Sequence, residues 1–188
     1  MEDDHLSLQQ SKFNSFILIL VWTIEMILQG RDLIHDVHAP VRILDYHVQY
    51  GNGDGIIDPS VQTGGIGTTL TGICHFTPRA ESHPGYCHGG SMCSVLDDVI
   101  GWVAFLTTGK CNPWSGFTVQ INTNLCKPIA VHSILQVQAK IVNVERRKVS
   151  VQASISDPAG EDIVHATGDG LVIINRGVLP GDNNEQSA

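Results

Sequence analysis

His88-Gly89-Gly90-Ser91-Met92-Cys93-Ser94-Val95-Leu96-Asp97-Asp98-Val99-Ile100-Gly101-Trp102-Val103-Ala104-Phe105-Leu106 is the stretch that decides how this chain folds. It follows a turn-like Pro84-Gly85, opens on two glycines, and then meets neither glycine nor proline until Gly101. At about 100° per residue, Met92, Leu96, Val99, Val103 and Leu106 fall on one side of a helix. Gly90, Ser94, Asp97 and Gly101 fall on the other, three or four positions apart. The spacing predicts a buried helix with one greasy face and one nearly bald face, the latter carrying a carboxylate at its middle. A face of small residues admits another backbone or a slender ligand, and a carboxylate there calls for a partner. Asp98 lies nearer Trp102 and Phe105, on a flank.

Upstream, Asn14 or Ser15 caps an expected helix to about Leu28, ended by Gly30. Val41 to Tyr50 reads as a strand, followed by a turn at Gly51-Asn52-Gly53-Asp54-Gly55. That turn is not a calcium loop, since Tyr50 and Val61 stand at the ends where carboxylates are required. Thr63 to Thr69 reads as a flexible Gly- and Thr-rich segment without phosphate-loop spacing. Thr69 to Phe76 reads as a strand and Pro78 to Gly85 as a loop. Downstream, Thr107 to Pro113 reads as a turn. Phe117, Val119, Ile121, Thr123 and Leu125 then alternate with Thr118, Gln120, Asn122 and Asn124, a half-buried strand pattern. Val131 to Val144, Lys148 to Ser156 and Ile163 to Ile174 are further strands. Strands, one long helix and an antiparallel meander imply an α+β fold whose sheet curls around the helix. The expected division is an N-terminal extension over 1–68, a main domain over 69–175 and a disordered tail over 176–188.

Composition narrows the function classes. The 188 residues suffice for one domain with a substantial core, and a hydrophobic content of 42% suits a globular protein. The net charge of −8, with Arg146-Arg147-Lys148 as the only basic run, argues against a nucleic-acid partner. Cys74, Cys87, Cys93, Cys111 and Cys126 form no C-x-x-C pair, which suits reduced intracellular thiols. The apolar run from Phe16 to Leu28 holds Thr23 and Glu25 and is shorter than the ~20 residues a membrane span needs. The acidic start, Met1-Glu2-Asp3-Asp4, has the wrong sign for a targeting leader, so a soluble, cytoplasmic protein is expected.

Three chemistries stand beside plainer readings. Gly89-Gly90 at a helix start presents N–H groups that bind an anion or polarise a carbonyl, or else merely permits a tight turn. Asp97 in a dry cleft acts as a general base or nucleophile, or else is a structural hydrogen-bond acceptor. Cys74-His75, His83 and Cys87-His88 do not match zinc spacings, so no metal is expected. No G-x-S-x-G elbow occurs.

His88-Gly89-Gly90 followed by Asp97 resembles the H-G-G-x(6)-D motif of hot-dog-fold acyl-CoA thioesterases. Phe117 to Pro128 resembles that family's next strand, which ends in N-[YF]-x-[KR]-P. Arg146-Arg147-Lys148-Val149 and His165-Ala166-Thr167-Gly168 sit where its meander has comparable segments. The likeness covers roughly residues 69–175. It is closest to the branch of phenylacetyl-CoA thioesterases and animal long-chain acyl-CoA thioesterases. The resemblance implies a hot-dog fold, here with an added N-terminal helix, assembled as a homodimer or a dimer of dimers. It implies no cofactor and a substrate that is an acyl-CoA or acyl-carrier-protein thioester. Gly90 would give its N–H to the thioester carbonyl, and His88 would shape that turn and contact the acyl carbonyl. Asp97 of the partner chain would activate water or attack the thioester, with Thr118 positioning the water or Asp97. Gly89 and Asn124 would line the substrate, and Arg146, Arg147 or Lys148 would meet the coenzyme A phosphates. Trp102, Phe105 and Trp114 are expected to shorten the acyl pocket. A non-catalytic acyl-binding or scaffold subunit and a hot-dog dehydratase are the alternatives.

Overall fold

The computed structural model describes residues 34, 38–51, 63–109, 111–158 and 163–175. The expected helix before Gly30, the turn at Asn52-Gly53-Asp54-Gly55 and the tail over 176–188 lie outside the described residues. In chain order the elements are β1 (Val41–Gln49), β2 (Thr69–Phe76), a 3-10 turn (Pro78–Ala80), β3 (Glu81–His83) and β4 (Tyr86–Cys87). There follow α1 (Gly89–Phe105), a second 3-10 turn (Leu106–Thr108), β5 (Gly116–Leu125), β6 (Ile134–Glu145), β7 (Lys148–Ser156) and β8 (Val164–Ile174). Six strands form one antiparallel sheet in the order β1-β2-β6-β7-β8-β5. The helix packs on one face of it, against β5, β6, β7 and β8. This is the hot-dog arrangement, with β1 and β5 as the two sheet edges.

The register explains why the sheet has one wet face and one dry face. His47, Thr71, Gln138, Ser154, Thr167 and Asn124 stand side by side across all six strands. One residue along each strand, Val48, Leu70, Ala139, Ala153, Gly168 and Thr123 form the neighbouring row, facing the helix. Small residues occur where α1 lies closest. A Cβ on Gly170 would stand 2.5 Å from Ile100 Cγ2, and one on Gly168 would stand 3.4 Å from Leu96 Cδ1. Leu96, Val99, Ile100 and Val103 are fully buried over this bed, so the greasy helix face is the core of the protein. Gly89–Thr108 is also the one stretch among the described residues long and apolar enough to cross a membrane. Here that apolarity is used inside the sheet.

Two local expectations are corrected. Pro78 to Gly85 is not a plain loop: Glu81–His83 pairs with Tyr86–Cys87 as a small hairpin. Its turn places Gly85 at φ 83°, and strands this short leave no periodic signal. The Thr63 to Thr69 segment is fixed rather than flexible. The Gly64 N–H donates to the Leu106 carbonyl at 2.8 Å, satisfying the end of α1, and the Gly67 N–H donates to Ile141 at 2.9 Å. Thr68 is fully buried, and its Oγ1 accepts from the N–H groups of Gly51 and Gly65.

Candidate active site

The start of α1 is closed by its own cap. His88 adopts an extended backbone at φ −66° and ψ 135°, and its Nδ1 accepts the Gly90 N–H at 2.8 Å. This is N-capping by an imidazole in place of the usual hydroxyl or carboxylate. A Cβ on Gly90 would lie 2.9 Å from His88 Nδ1, so the glycine is what lets the ring fold over its own helix end. An Nδ1 that accepts leaves the proton of a neutral imidazole on Nε2. Ser91 N–H donates to the His88 carbonyl at 2.9 Å, and Ser94 Oγ donates to the Gly90 carbonyl at 2.9 Å. Gly89 meets Leu125 of β5, whose Cδ1 would stand 2.7 Å from an added Cβ.

The two neighbouring aspartates part company. Asp98 is half-buried and accepts a hydrogen bond from Tyr46 Oη on β1 at 2.9 Å. Gly72 makes room for that reach, because a Cβ there would stand 2.8 Å from the Tyr46 ring. Asp97 is exposed, as is Gly90, while Gly101 at the far end of the bald face is buried. One turn before Asp97, Cys93 Sγ lies 3.5 Å from Thr123 Oγ1, so this flank of the helix faces the inner side of β5. The carboxylate therefore stands on the β5 flank of the helix, exposed in the single chain.

A bulge in β5 decides what else joins it. Phe117 pairs with Ile173 and Thr118 with Val172, but Gln120 pairs with Leu171, leaving Val119 extra. The alternation expected from Phe117 to Leu125 is broken there. Phe117 and Val119 are 63% and 56% exposed, while the bulge puts Thr118 in the same helix-facing set as Ile121, Thr123 and Leu125. Asn124 pairs with Thr167 on the face away from the helix, so the structure does not bring it to the helix start within one chain.

Arg146 and Arg147 form the turn between β6 and β7, with Arg146 at φ 52°, and Lys148 opens β7. Arg147 Nη1 donates to the Ile174 carbonyl at 3.0 Å, pinning the end of β8. Lys148 sits opposite Ile173, whereas the helix start lies by Leu125, paired with Ala166. At about 3.3 Å per strand residue, the basic turn and His88 lie roughly 25 Å apart along the sheet in a single chain.

A cavity of about 210 Å³ opens beside the first turns of the helix, with His88, Ser91 and Ser94 as one wall. Trp102, Phe105 and Trp114 do not line it. Trp102 is 9% exposed and meets Phe105 edge to face, so these two rings serve the core, while Trp114 is 65% exposed. All five cysteines are free thiols, and no group of three or more metal-ligating side chains occurs among the described residues. The cap that the His88 ring forms on Gly90 was not foreseen, although a His-Gly-Gly run at a helix start carries the signal. The Tyr46–Asp98 contact joins residues 52 positions apart and has no sequence signal.

Comparison with known proteins agrees with this architecture. A family model described as "Thioesterase superfamily" matches residues 84–164. Mouse acyl-coenzyme A thioesterase THEM4 is 31% identical over 74 residues, which is 38% of this chain and 29% of that protein. Human acyl-coenzyme A thioesterase THEM5 is 25% identical over 108 residues, 56% of this chain and 41% of that protein. The chain thus spans less than half the length of these relatives. Among solved structures, zebra fish thioesterase superfamily member 2 superposes with a TM-score of 0.53 at 12% identity, covering 73% of this chain and 83% of that one. A hypothetical thioesterase from Streptococcus pneumoniae TIGR4, solved with coenzyme A, gives 0.53 at 14% identity, covering 70% and 89%. Residues 84–164 are thus similar to the thioesterase superfamily, and the fold is that of the hot-dog thioesterases.

Proposed function

We propose that this protein hydrolyses an acyl thioester, carried by coenzyme A or an acyl-carrier protein, to a free acid and a thiol. The observation that carries the reading is the contrast on α1: Asp97 is exposed beside the edge strand β5, one turn from Cys93, while Asp98 is already held by Tyr46. Asp97 is the general base toward water, or the nucleophile. Thr118, turned to the helix side by the bulge, positions the water or Asp97. The Gly90 N–H stabilises the oxyanion, exchanging His88 Nδ1 for the thioester oxygen as substrate enters. Gly89 gives the carbonyl room to approach.

The reading places two copies edge to edge. Among the described residues β5 pairs only with β8, and along it Phe117, Val119 and Leu125 are 63%, 56% and 48% exposed. An unpaired apolar edge is a template for another strand. Antiparallel pairing of β5 with its copy would bring the Leu125 end of one chain beside the Gly116 end of the other. The Arg146-Arg147-Lys148 turn would then serve the partner's helix start, where coenzyme A phosphates need cations. Asn124, at that same edge, would face the partner's side of the seam.

The test is thiol release across a panel of acyl-CoA and acyl-carrier substrates, wild type beside Asp97→Asn. Hydrolysis by wild type with loss of at least about 10² in the variant is expected. Equal turnover by both would remove Asp97 from the mechanism. A second reading, a non-catalytic acyl-binding or scaffold subunit, draws on one observation: His88 already satisfies the Gly90 N–H. No hydrolysis across the panel, with retained acyl-CoA binding, would establish it instead.

A further inference from the structure

We infer that the corner of the sheet where β5 begins and β8 ends is a docking surface for an anionic lipid bilayer. Two kinds of residue meet there. Trp114 and Phe117 are 65% and 63% exposed, the highest values among the large hydrophobic side chains described. Beside them stands the only basic run of the chain, Arg146-Arg147-Lys148.

The register brings the two together. Phe117 pairs with Ile173, Ile173 with Lys148, and Lys148 with Glu145. These four side chains therefore stand in one row on the face turned away from the helix. Half-buried Leu171 lies next to Ile173 on that face, two residues back along β8. Trp114 is held at the same corner through its carbonyl, which accepts from Asn175 Nδ2 at 2.8 Å. Arg147 joins it by donating to the Ile174 carbonyl. Arg146 and Lys148 are exposed and form no ion pair among the described residues. Glu145 is the one carboxylate in the row. Nearer the middle of the sheet the same face is polar, as in the row from His47 to Asn124.

Chemistry selects the partner. An exposed apolar patch rimmed by charge marks an interaction site. Tryptophan and phenylalanine seat at the headgroup level of a bilayer, where Lys and Arg meet anionic phosphates. A second copy meeting this corner face to face would oppose like charges. The net charge of −8 repels an anionic surface elsewhere on the chain, so docking through this corner fixes one orientation. The edge-to-edge pairing proposed above adds a geometric reason, and this point alone rests on that reading. A two-fold axis that pairs antiparallel strands runs normal to their sheet, so both copies turn this corner to the same side. A planar partner engages both at once.

The test is co-flotation of the 188-residue chain with phosphatidylcholine vesicles and with vesicles holding about one third phosphatidylserine. At about 0.1 M salt the mixed vesicles should bind at least about tenfold more tightly. At about 0.5 M that preference should fall below about threefold. Trp114→Gln and Phe117→Gln should each weaken binding to mixed vesicles about tenfold, and Lys148→Gln about fivefold. Both rings are exposed, so unchanged melting temperatures are expected for their variants. Equal binding to the two lipids, or full binding by both ring variants, would overturn the docking surface. Coenzyme A is the control for the shared cations. A wild type that binds coenzyme A but neither vesicle would leave those cations to the thioester site and overturn the inference. Vesicle binding with the expected losses, in a protein that hydrolyses no thioester, would overturn the thioester reading and leave the docking surface standing.

Discussion

Asp97 and Asp98 are adjacent in sequence and opposite in circumstance. On the β1 flank of α1, Asp98 is half-buried and held at 2.9 Å by Tyr46, with Gly72 clearing the way. On the β5 flank, Asp97 is exposed above a strand whose outer edge has no partner among the described residues. One flank is completed inside the chain, and the other is left exposed in it. The helix turns only about 100° between the two residues, yet that separates a carboxylate held by a tyrosine from an exposed one.

The sharpest way to break this contrast is to exchange the two neutralisations. Asp97→Asn should cost about 10²–10⁴ in kcat/KM for the best acyl-CoA, with an unchanged melting temperature. Asp98→Asn should lower the melting temperature and leave kcat/KM within about fivefold. The opposite pattern would reassign the base. Next in size, Gly170→Ala drives a methyl to 2.5 Å from Ile100 and should destabilise by about 1–3 kcal/mol in urea unfolding. If it does not, the helix sits less tightly on the sheet than its contacts indicate.

Tyr46→Phe removes the hydrogen bond to the Asp98 carboxylate and should cost about 1 kcal/mol, since the pair is only partly buried. An equal loss from Tyr46→Phe in an Asp98→Ala background, which lacks the acceptor, would show that the bond itself contributes nothing. Thiol labelling then sharpens the difference between the open flank and the core. Iodoacetamide at pH 8 should modify exposed Cys126 and half-buried Cys93 and spare Cys74. Burial pushes the Cys74 thiol from 9.0 up to about 12, lowering its thiolate population about a thousandfold. Because the folded value is raised, this thiol's contribution to stability is intact below about pH 9. It is lost as pH climbs toward 12.

Much of the fold was legible because it is local. The 3.6-residue pattern of Met92, Leu96, Val99 and Val103 marked the core helix, and β2 and β7 run over the spans Thr69 to Phe76 and Lys148 to Ser156 that the sequence indicated. The β5 pattern misled where the register changed. Its alternation looked continuous from Phe117 to Leu125, but Val119 bulges, because only pairing with β8 fixes which side a residue faces. The glycines of Thr63 to Thr69 looked like freedom and are instead an anchor for the helix end.

For the site, sequence by itself determined which residue types stand at the start and middle of α1. The His-Gly-Gly run, the interval to Asp97 and its separation from Asp98 on the wheel are properties of a single helix, fixed by one repeat. The tertiary structure decided how those groups are used. It folded the His88 ring onto the Gly90 N–H, gave Asp98 to Tyr46, turned Thr118 toward the helix and left Asp97 exposed. Apart from the local cap, each of these depends on partners more than fifty positions away or on strand register. A period read along the chain carries no information about such contacts, because they are set by which surfaces the folded sheet brings together.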